Sequence, residues 1–167
     1  VVLLADGRRI VLRDVVREDH DLLLALYAST RVVELDAVPW PDETKAAFIA
    51  QQFHAQDTDY RARHPDGSFQ VIEVAQGRVA EVGGRVITSW LAPTHLRLVD
   101  IIVAVEWRSV GIGTAVLTHL CHRADNARAV VSLHVEHGNP AAELYRRLGF
   151  VDVQRGDFHV LMERPVS

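Results

Sequence analysis

The chain has 167 residues, 49% apolar and 24% charged, with a formal net charge of −4. That length is expected to form one domain, over 1–167, around one buried core, and the mild negative charge excludes a global field that would draw nucleic acid or an anionic membrane. Cys121 is the only cysteine, which excludes an internal disulfide and suits a reducing, cytoplasmic setting.

No apolar run approaches the roughly 18–20 residues of a membrane span, and the opening VVLLA is shorter than the roughly 7–15 apolar residues of a signal segment. RRIVLRDVV (8–16) alternates apolar and polar residues behind an Asp6-Gly7 turn and predicts a first strand. Asp19 is placed to cap a helix through DLLLALYAST, and PWPDET opens a second helix that ends near His64-Pro65. FQVIEVA, GRVITSWL and LRLVDIIVAV follow, β-rich runs separated by Gly77, by Gly83-Gly84 and by Ala92-Pro93-Thr94, which predicts an antiparallel meander. A helix is expected over roughly 111–126 and a short strand at VVSLHVE. Asn139-Pro140 then reads as a cap and first helical residue, with Gly149 as the stop. FVDVQ and DFHVLMER close as paired strands. The order βααβββαβαββ implies a mixed α/β sheet and not an alternating doubly wound one.

Within this plan, EWRSVGIGTAVL (106–117) places Gly111 and Gly113 at the start of a helix. Glycines there allow a backbone to run close to a ligand, and free N–H groups at a helix start suit phosphate oxygens, with Arg108 as a nearby cation. An unliganded strand-to-helix turn has the same composition. A P-loop would need Lys and Ser/Thr after its last glycine, where Thr114-Ala115 stands. A dinucleotide fingerprint would need a third glycine at Val116; Glu136 is placed as a ribose-binding acid would be, but too little chain follows for a doubly wound fold.

R108-S109-V110-G111-I112-G113 resembles the R/Q-x-x-G-x-G/A motif of the GNAT superfamily of N-acetyltransferases, and LHVEHGNPAAELYRRLGF (133–150) resembles that superfamily's later strand, helix and "LY…LGF" ending. FIAQQFHAQDTDYRARHPDGSF (48–69) is similar to a bacterial subgroup of unknown acceptor. The chain departs from the pattern at Ser109, where glycine is usual, at Val110, where Arg, Gln or Lys is common, and at Val105, where proline is frequent. Asn139 stands six residues before Tyr145, where seven is commoner. The resemblance implies a GNAT-like α/β fold, a mixed, mostly antiparallel sheet flanked by about four helices. It also implies acetyl-coenzyme A as co-substrate, with Arg108, Ser109, Val110, Gly111, Ile112, Gly113 and Thr114 on its pyrophosphate. Ile101, Ile102 and Val103 would take its pantetheine arm and thioester, and Asn139 and Tyr145 would contact it from the last helix.

Acetylation by direct attack needs a neutral amine, a stabilised oxyanion and a protonated leaving thiolate. Backbone donors suit the oxyanion. Tyr145 is the candidate acid, since a phenol with a pKa near 10 stays protonated at neutral pH and still donates; tyrosine on an amphipathic helix also serves simply as core. Two candidates stand for the base: His134, at a position that carries a catalytic glutamate in some relatives, and Asp100, an acid in an apolar strand whose other role is a structural anchor. Neutralising a lysine-type amine of pKa about 10.4 at pH 7 costs roughly 4–5 kcal/mol and an α-amine near 8 about 1 kcal/mol, which favours an α-amine.

The acceptor is therefore expected to be a small-molecule or peptide amine, with no nucleic acid or membrane as partner, and the protein a cytoplasmic monomer or homodimer. Trp40, Gln52, Gln56, Asp59, Tyr60 and His64 fall where the superfamily usually roofs its acceptor site, but Phe48, Ile49, Gln52, Phe53 and Gln56 partly form an amphipathic stripe whose polar members are more often solvated flank than pocket, so none is taken as a site residue. No metal site is expected: His119 and His122 share the solvent face of one helix, His134 and His137 point to opposite faces of a strand, and the spacing fits no common zinc pattern. The competing class is a non-catalytic acyl-coenzyme A binding or sensing domain on the same fold.

Overall fold

The structure, a computed structural model, describes residues 1–4 and 6–166, so Ala5 in the opening apolar stretch and Ser167 at the end of the expected domain lie outside it. Its elements are β1 (Val2–Leu3), β2 (Arg9–Asp14), α1 (His20–Ser29), α2 (Val32–Asp36), α3 (Asp42–Arg63), β3 (Ser68–Gln76), β4 (Val79–Ala92), β5 (His95–Val103), α4 (Ile112–Asn126), β6 (Val130–Glu136), α5 (Ala141–Arg147), β7 (Val151–Arg155) and β8 (His159–Arg164). They form one mixed sheet in the order β1-β2-β3-β4-β5-β6-β8-β7, in which β5 and β6 alone run parallel. This is the expected mostly antiparallel α/β plan, with the two-residue β1 and the single-turn α2 added. Among the described residues no helix is long and apolar enough to cross a membrane.

The apolar periodicities place the helices on two faces. On one, Ile112, Val116, Leu120 and Ala124 of α4, with Tyr145 of α5, pack against Leu96, Leu98, Val131 and Leu133 of the sheet. On the other, Leu23, Leu26 and Tyr27 of α1 and Phe53 of α3 pack over Ile102 and Ala104. Asp19 does not cap α1 with its side chain as expected. Its carboxylate instead takes both terminal nitrogens of Arg13 at 2.7 Å and the Val16 N–H at 2.8 Å, and this guanidinium pairing is the chief cause of a pKa held below the ordinary aspartate value.

Gly83-Gly84 does not separate two runs. β4 passes straight through it, and a β-bulge in the β3–β4 ladder leaves Gly83 as the extra residue, Ile72 facing Gly84 and Glu73 facing Val82. The reason is close packing: a Cβ on Gly83 would lie 2.6 Å from Val74 Cγ2, and one on Gly84 would run into the Ile102 carbonyl oxygen of β5. The turn falls instead at Gly77, whose φ of 62° lies in the left-handed region. Gly84→Ala is expected to lower stability by about 1–3 kcal/mol through overpacking against backbone, read as a drop in the urea midpoint.

A second bulge, between β4 and β5, matters more for function. Ile87 faces Asp100 and Thr88 faces Leu98, so Val99 is the extra residue. Side chains alternate faces along a strand, and one inserted residue inverts that alternation. Before the bulge Leu96 and Leu98 belong to the α4 face; after it Ile101 and Val103 do. Asp100 and Ile102 thereby turn to the α1/α3 face, beside Arg85 and Phe53.

Candidate active site

Just beyond the bulge the sheet opens. The parallel ladder joins β5 to β6 only from His95↔Val130 to Leu98↔Leu133. β6 then stays with β8 as far as Glu136, while β5 stays with β4 as far as Val103. The edge of β5 from Val99 onward that faces away from β4 therefore has no ladder partner. The wedge is the root of a cleft of about 900 Å³, lined by β5 and β6 and by Tyr27, Gln56, Tyr60, His64, Asn139 and Tyr145 from the surrounding elements.

The glycine loop lies outside the cleft lining, at the far end of the same wedge. Gly111 has φ 90° with nothing within 4 Å of where a Cβ would stand, and a Cβ on Gly113 would lie 3.8 Å from Leu144 of α5 and 3.9 Å from Val103. The end of β5, the start of α4 and α5 thus converge. Among the described residues, the N–H groups of residues 109–114 donate no hydrogen bond, and Ser109 itself sits at φ 62°. Free N–H groups at the start of the 15-residue α4 are suited to anionic oxygens. Arg108 turns back, its Nε donating to the Val103 carbonyl at 3.1 Å. That carbonyl is thereby occupied, and Val103 stays off the cleft lining, whereas Ile101 and Ile102 are on it.

Three expected catalytic residues, Tyr145, His134 and Asp100, line the cleft together. Tyr145, 7% exposed, packs its ring 5.8 Å from that of Phe150. Burial, and secondarily the charge of Asp100, pushes its pKa up to about 12, so the phenol stays protonated. Tyr60, from α3, is likewise pushed up to about 12, first by burial and then by Asp100.

The two candidate bases have other partners. Asp100 Oδ2 accepts from Arg85 Nη2 at 2.8 Å and Nε at 3.2 Å. Arg85 is 2% exposed, also donates to Gln56 Oε1 at 3.0 Å and lies over the Phe53 ring. Asp100 is thus the counter-ion of a buried cation. His134 Nδ1 lies 2.9 Å from Arg97 Nη1; a guanidinium only donates, so Nδ1 must accept and the neutral ring carries its proton on Nε2. Burial, then the charges of Arg97 and His159, lowers the His134 pKa, which keeps the ring neutral. The imidazole is arranged as a donor. Asn139 Oδ1 accepts from the Ala141 N–H at 2.9 Å, but α5 begins at Ala141 with Pro140 and not Asn139 at its cap position, one residue later than the sequence implied.

Of the roof residues, Gln56, Tyr60 and His64 line the cleft. Trp40 packs on Phe48, ring centroids 5.5 Å apart, Gln52 lines a separate small pocket, and Asp59 pairs with Arg63. The sequence reading missed Arg85 and Tyr27. Arg85 carried a signal, an arginine between Gly84 and an apolar run, and it needed only a buried acid across the ladder to complete it. Among the described residues no group of three or more His, Cys, Asp or Glu could hold a metal ion.

With this geometry in view, the acetyltransferase (GNAT) family profile matches residues 24–150, which begins within α1 and spans the wedge, the glycine loop and α5. The chain belongs to the GNAT acetyltransferase family. Members use acetyl-coenzyme A as acetyl donor, and the free N–H groups of the glycine loop and the unpaired edge of β5 fit its pyrophosphate and pantetheine. The GNAT fold is also that of solved structures. The PaiA N-acetyltransferase of Thermoplasma acidophilum, in complex with coenzyme A, is 15% identical, with a TM-score of 0.65 over 94% of this chain and 99% of that one. An acetyltransferase from Thermus thermophilus is 18% identical, with a TM-score of 0.66 over 99% of this chain and 100% of that one. No curated protein sequence matches the chain.

Proposed function

We propose that residues 1–167 act as one N-acetyltransferase domain that moves acetyl from acetyl-coenzyme A to a primary amine by direct attack, with an α-amine as the favoured acceptor. The observation that carries this reading is the wedge between β5 and β6, which joins a row of free backbone donors at one end to a tyrosine-lined cleft at the other. Acetyl-coenzyme A supplies an activated acetyl group as a thioester. Residues 109–114 hold its pyrophosphate, the free edge of β5 around Ile101 and Ile102 orients the thioester and donates to its oxygen as charge develops there, and Asn139 lines the arm.

The amine enters neutral through the Tyr27–Tyr60 side. As its nitrogen bonds to the acetyl carbon and the C–S bond breaks, Tyr145 gives its hydroxyl proton to the departing sulfur, and the proton shed by the nitrogen restores the phenol. Protons balance without a dedicated base, which agrees with His134 and Asp100 having other partners and favours amines of low pKa. Buried Cys121 suits a reducing, cytoplasmic setting.

Calorimetric titration with acetyl-coenzyme A and coenzyme A tests the first half. Saturable binding is expected, lost by at least about tenfold in Gly111→Glu, where a side chain forced to positive φ also sets a carboxylate among the phosphate donors. Absence of binding at millimolar concentration would overturn the reading. The engagement of both candidate bases also favours a non-catalytic acyl-coenzyme A binder; it would bind without amine-dependent thiol release, and that release is the expected result.

A further inference from the structure

The acceptor side of the cleft has an excess of cations. Arg31, Arg63 and Arg97 line it with only two carboxylates, Asp100 and Glu136, and Asp100 is committed to Arg85. Arg31 and Arg63 have exposed partners of their own, Glu34 and Asp59. Arg97 is different. It is half-buried on β5, its one hydrogen bond is to the neutral His134 ring, and no carboxylate among the described residues lies within ion-pair distance; Glu163 acts on it only from further away. On the same cleft, His64 holds Nδ1 buried with no partner, the only such side-chain atom among the described residues. A partly desolvated cation without a counter-charge is costly unless a ligand supplies one.

We propose that the acceptor amine also carries a carboxylate, and that Arg97 binds it through its free Nε and Nη2 edge as the residue that determines acceptor specificity. This rests on the acetyl-transfer reading of the same cleft. A guanidinium edge matches the two oxygens of a carboxylate, and Nη1 is the nitrogen His134 occupies. His134 thereby gains a role as a positioning residue that fixes the rotation of the fork. Arg97 precedes Ile101 by four positions, roughly 13 Å along an extended strand. The arginine's own length spans part of that distance, so the amine and the carboxylate stand several bonds apart, as in a peptide N-terminus followed by an acidic side chain.

The test compares glycyl-glutamic acid α-amide with glycyl-glutamine α-amide, which differ in one carboxylate, and adds phosphoethanolamine. The wild-type protein is expected to prefer the glutamic acid compound by about 10- to 100-fold in kcat/KM, chiefly through KM. In Arg97→Gln that ratio falls to near one, and in Arg97→Lys it recovers in part. Equal use of the two dipeptides by the wild type, or a proportional loss on both in Arg97→Gln, overturns the proposal, and preference for phosphoethanolamine overturns the carboxylate assignment. If no amine releases thiol, acetyl transfer itself has failed, and thermal stabilisation then reads the anion site alone. A rise in Tm with the glutamic acid compound in wild type but not in Arg97→Gln upholds the site, and no rise in either overturns it.

Discussion

Tyr145→Phe is expected to lower kcat for amine-dependent thiol release by about 10²–10⁴-fold, the range for loss of a positioned general acid, with the loss in kcat and not in coenzyme affinity. The phenol makes no hydrogen bond with the described residues, so its proton is free for the leaving sulfur. The ring, packed on Phe150, keeps its place in the phenylalanine variant, so stability should change little. The pH profile provides a second readout. With its pKa pushed up to about 12 by burial and by Asp100, the hydroxyl remains an acid throughout the working range. kcat/KM should therefore climb with pH as the amine deprotonates and show no alkaline decline before about pH 10. An unchanged kcat in Tyr145→Phe would remove the residue from the mechanism.

Asp100→Leu is expected to destabilise the fold by about 3–5 kcal/mol, because it strands a buried guanidinium without its counter-ion. Arg85 is 2% exposed, and Gln56 alone would remain to accept from it. Urea denaturation measures the loss. The double variant Arg85→Met/Asp100→Leu should recover most of it, since apolar replacement of a buried pair is often neutral or stabilising. This cycle also separates the two roles considered for Asp100. A structural anchor predicts that thiol release returns with stability in the double variant; a general base predicts a stable protein that releases none.

The elements were largely legible in the sequence because their periodicities are strong. The α4 stripe of Ile112, Val116, Leu120 and Ala124 and the Gly149 stop appear where the pattern put them. The bulges were not legible. Gly83-Gly84 looked like a break because two adjacent glycines usually mark a turn, and only the approach of the Ile102 carbonyl explains why a strand needs them. At Val99 nothing local signals the inserted residue, yet it decides that Asp100 meets Arg85 and not the α4 core. The positions of the glycine loop before α4 and of Tyr145 on the last helix were readable because each lies in a contiguous motif. The partners of Asp100 and His134 were not, since Arg85 is 15 residues and Arg97 is 37 residues away along the chain, and only the ladder brings them together.

The short parallel ladder has a further consequence for how the molecule comes apart. Strands β1–β5 and β6–β8 are each continuous antiparallel blocks, and the sheet passes between them through four residue pairs, 95–98 with 130–133. Native-state hydrogen exchange should therefore resolve two cooperative units, with amides in the interior of β3–β4 and of β6–β8 protected to different free energies and the shared rungs exchanging with the weaker block. Opening at that seam would dissolve the active-site wedge while leaving most secondary structure in place. Activity would then vanish at lower denaturant than circular dichroism, a separation that a two-state unfolding curve would hide.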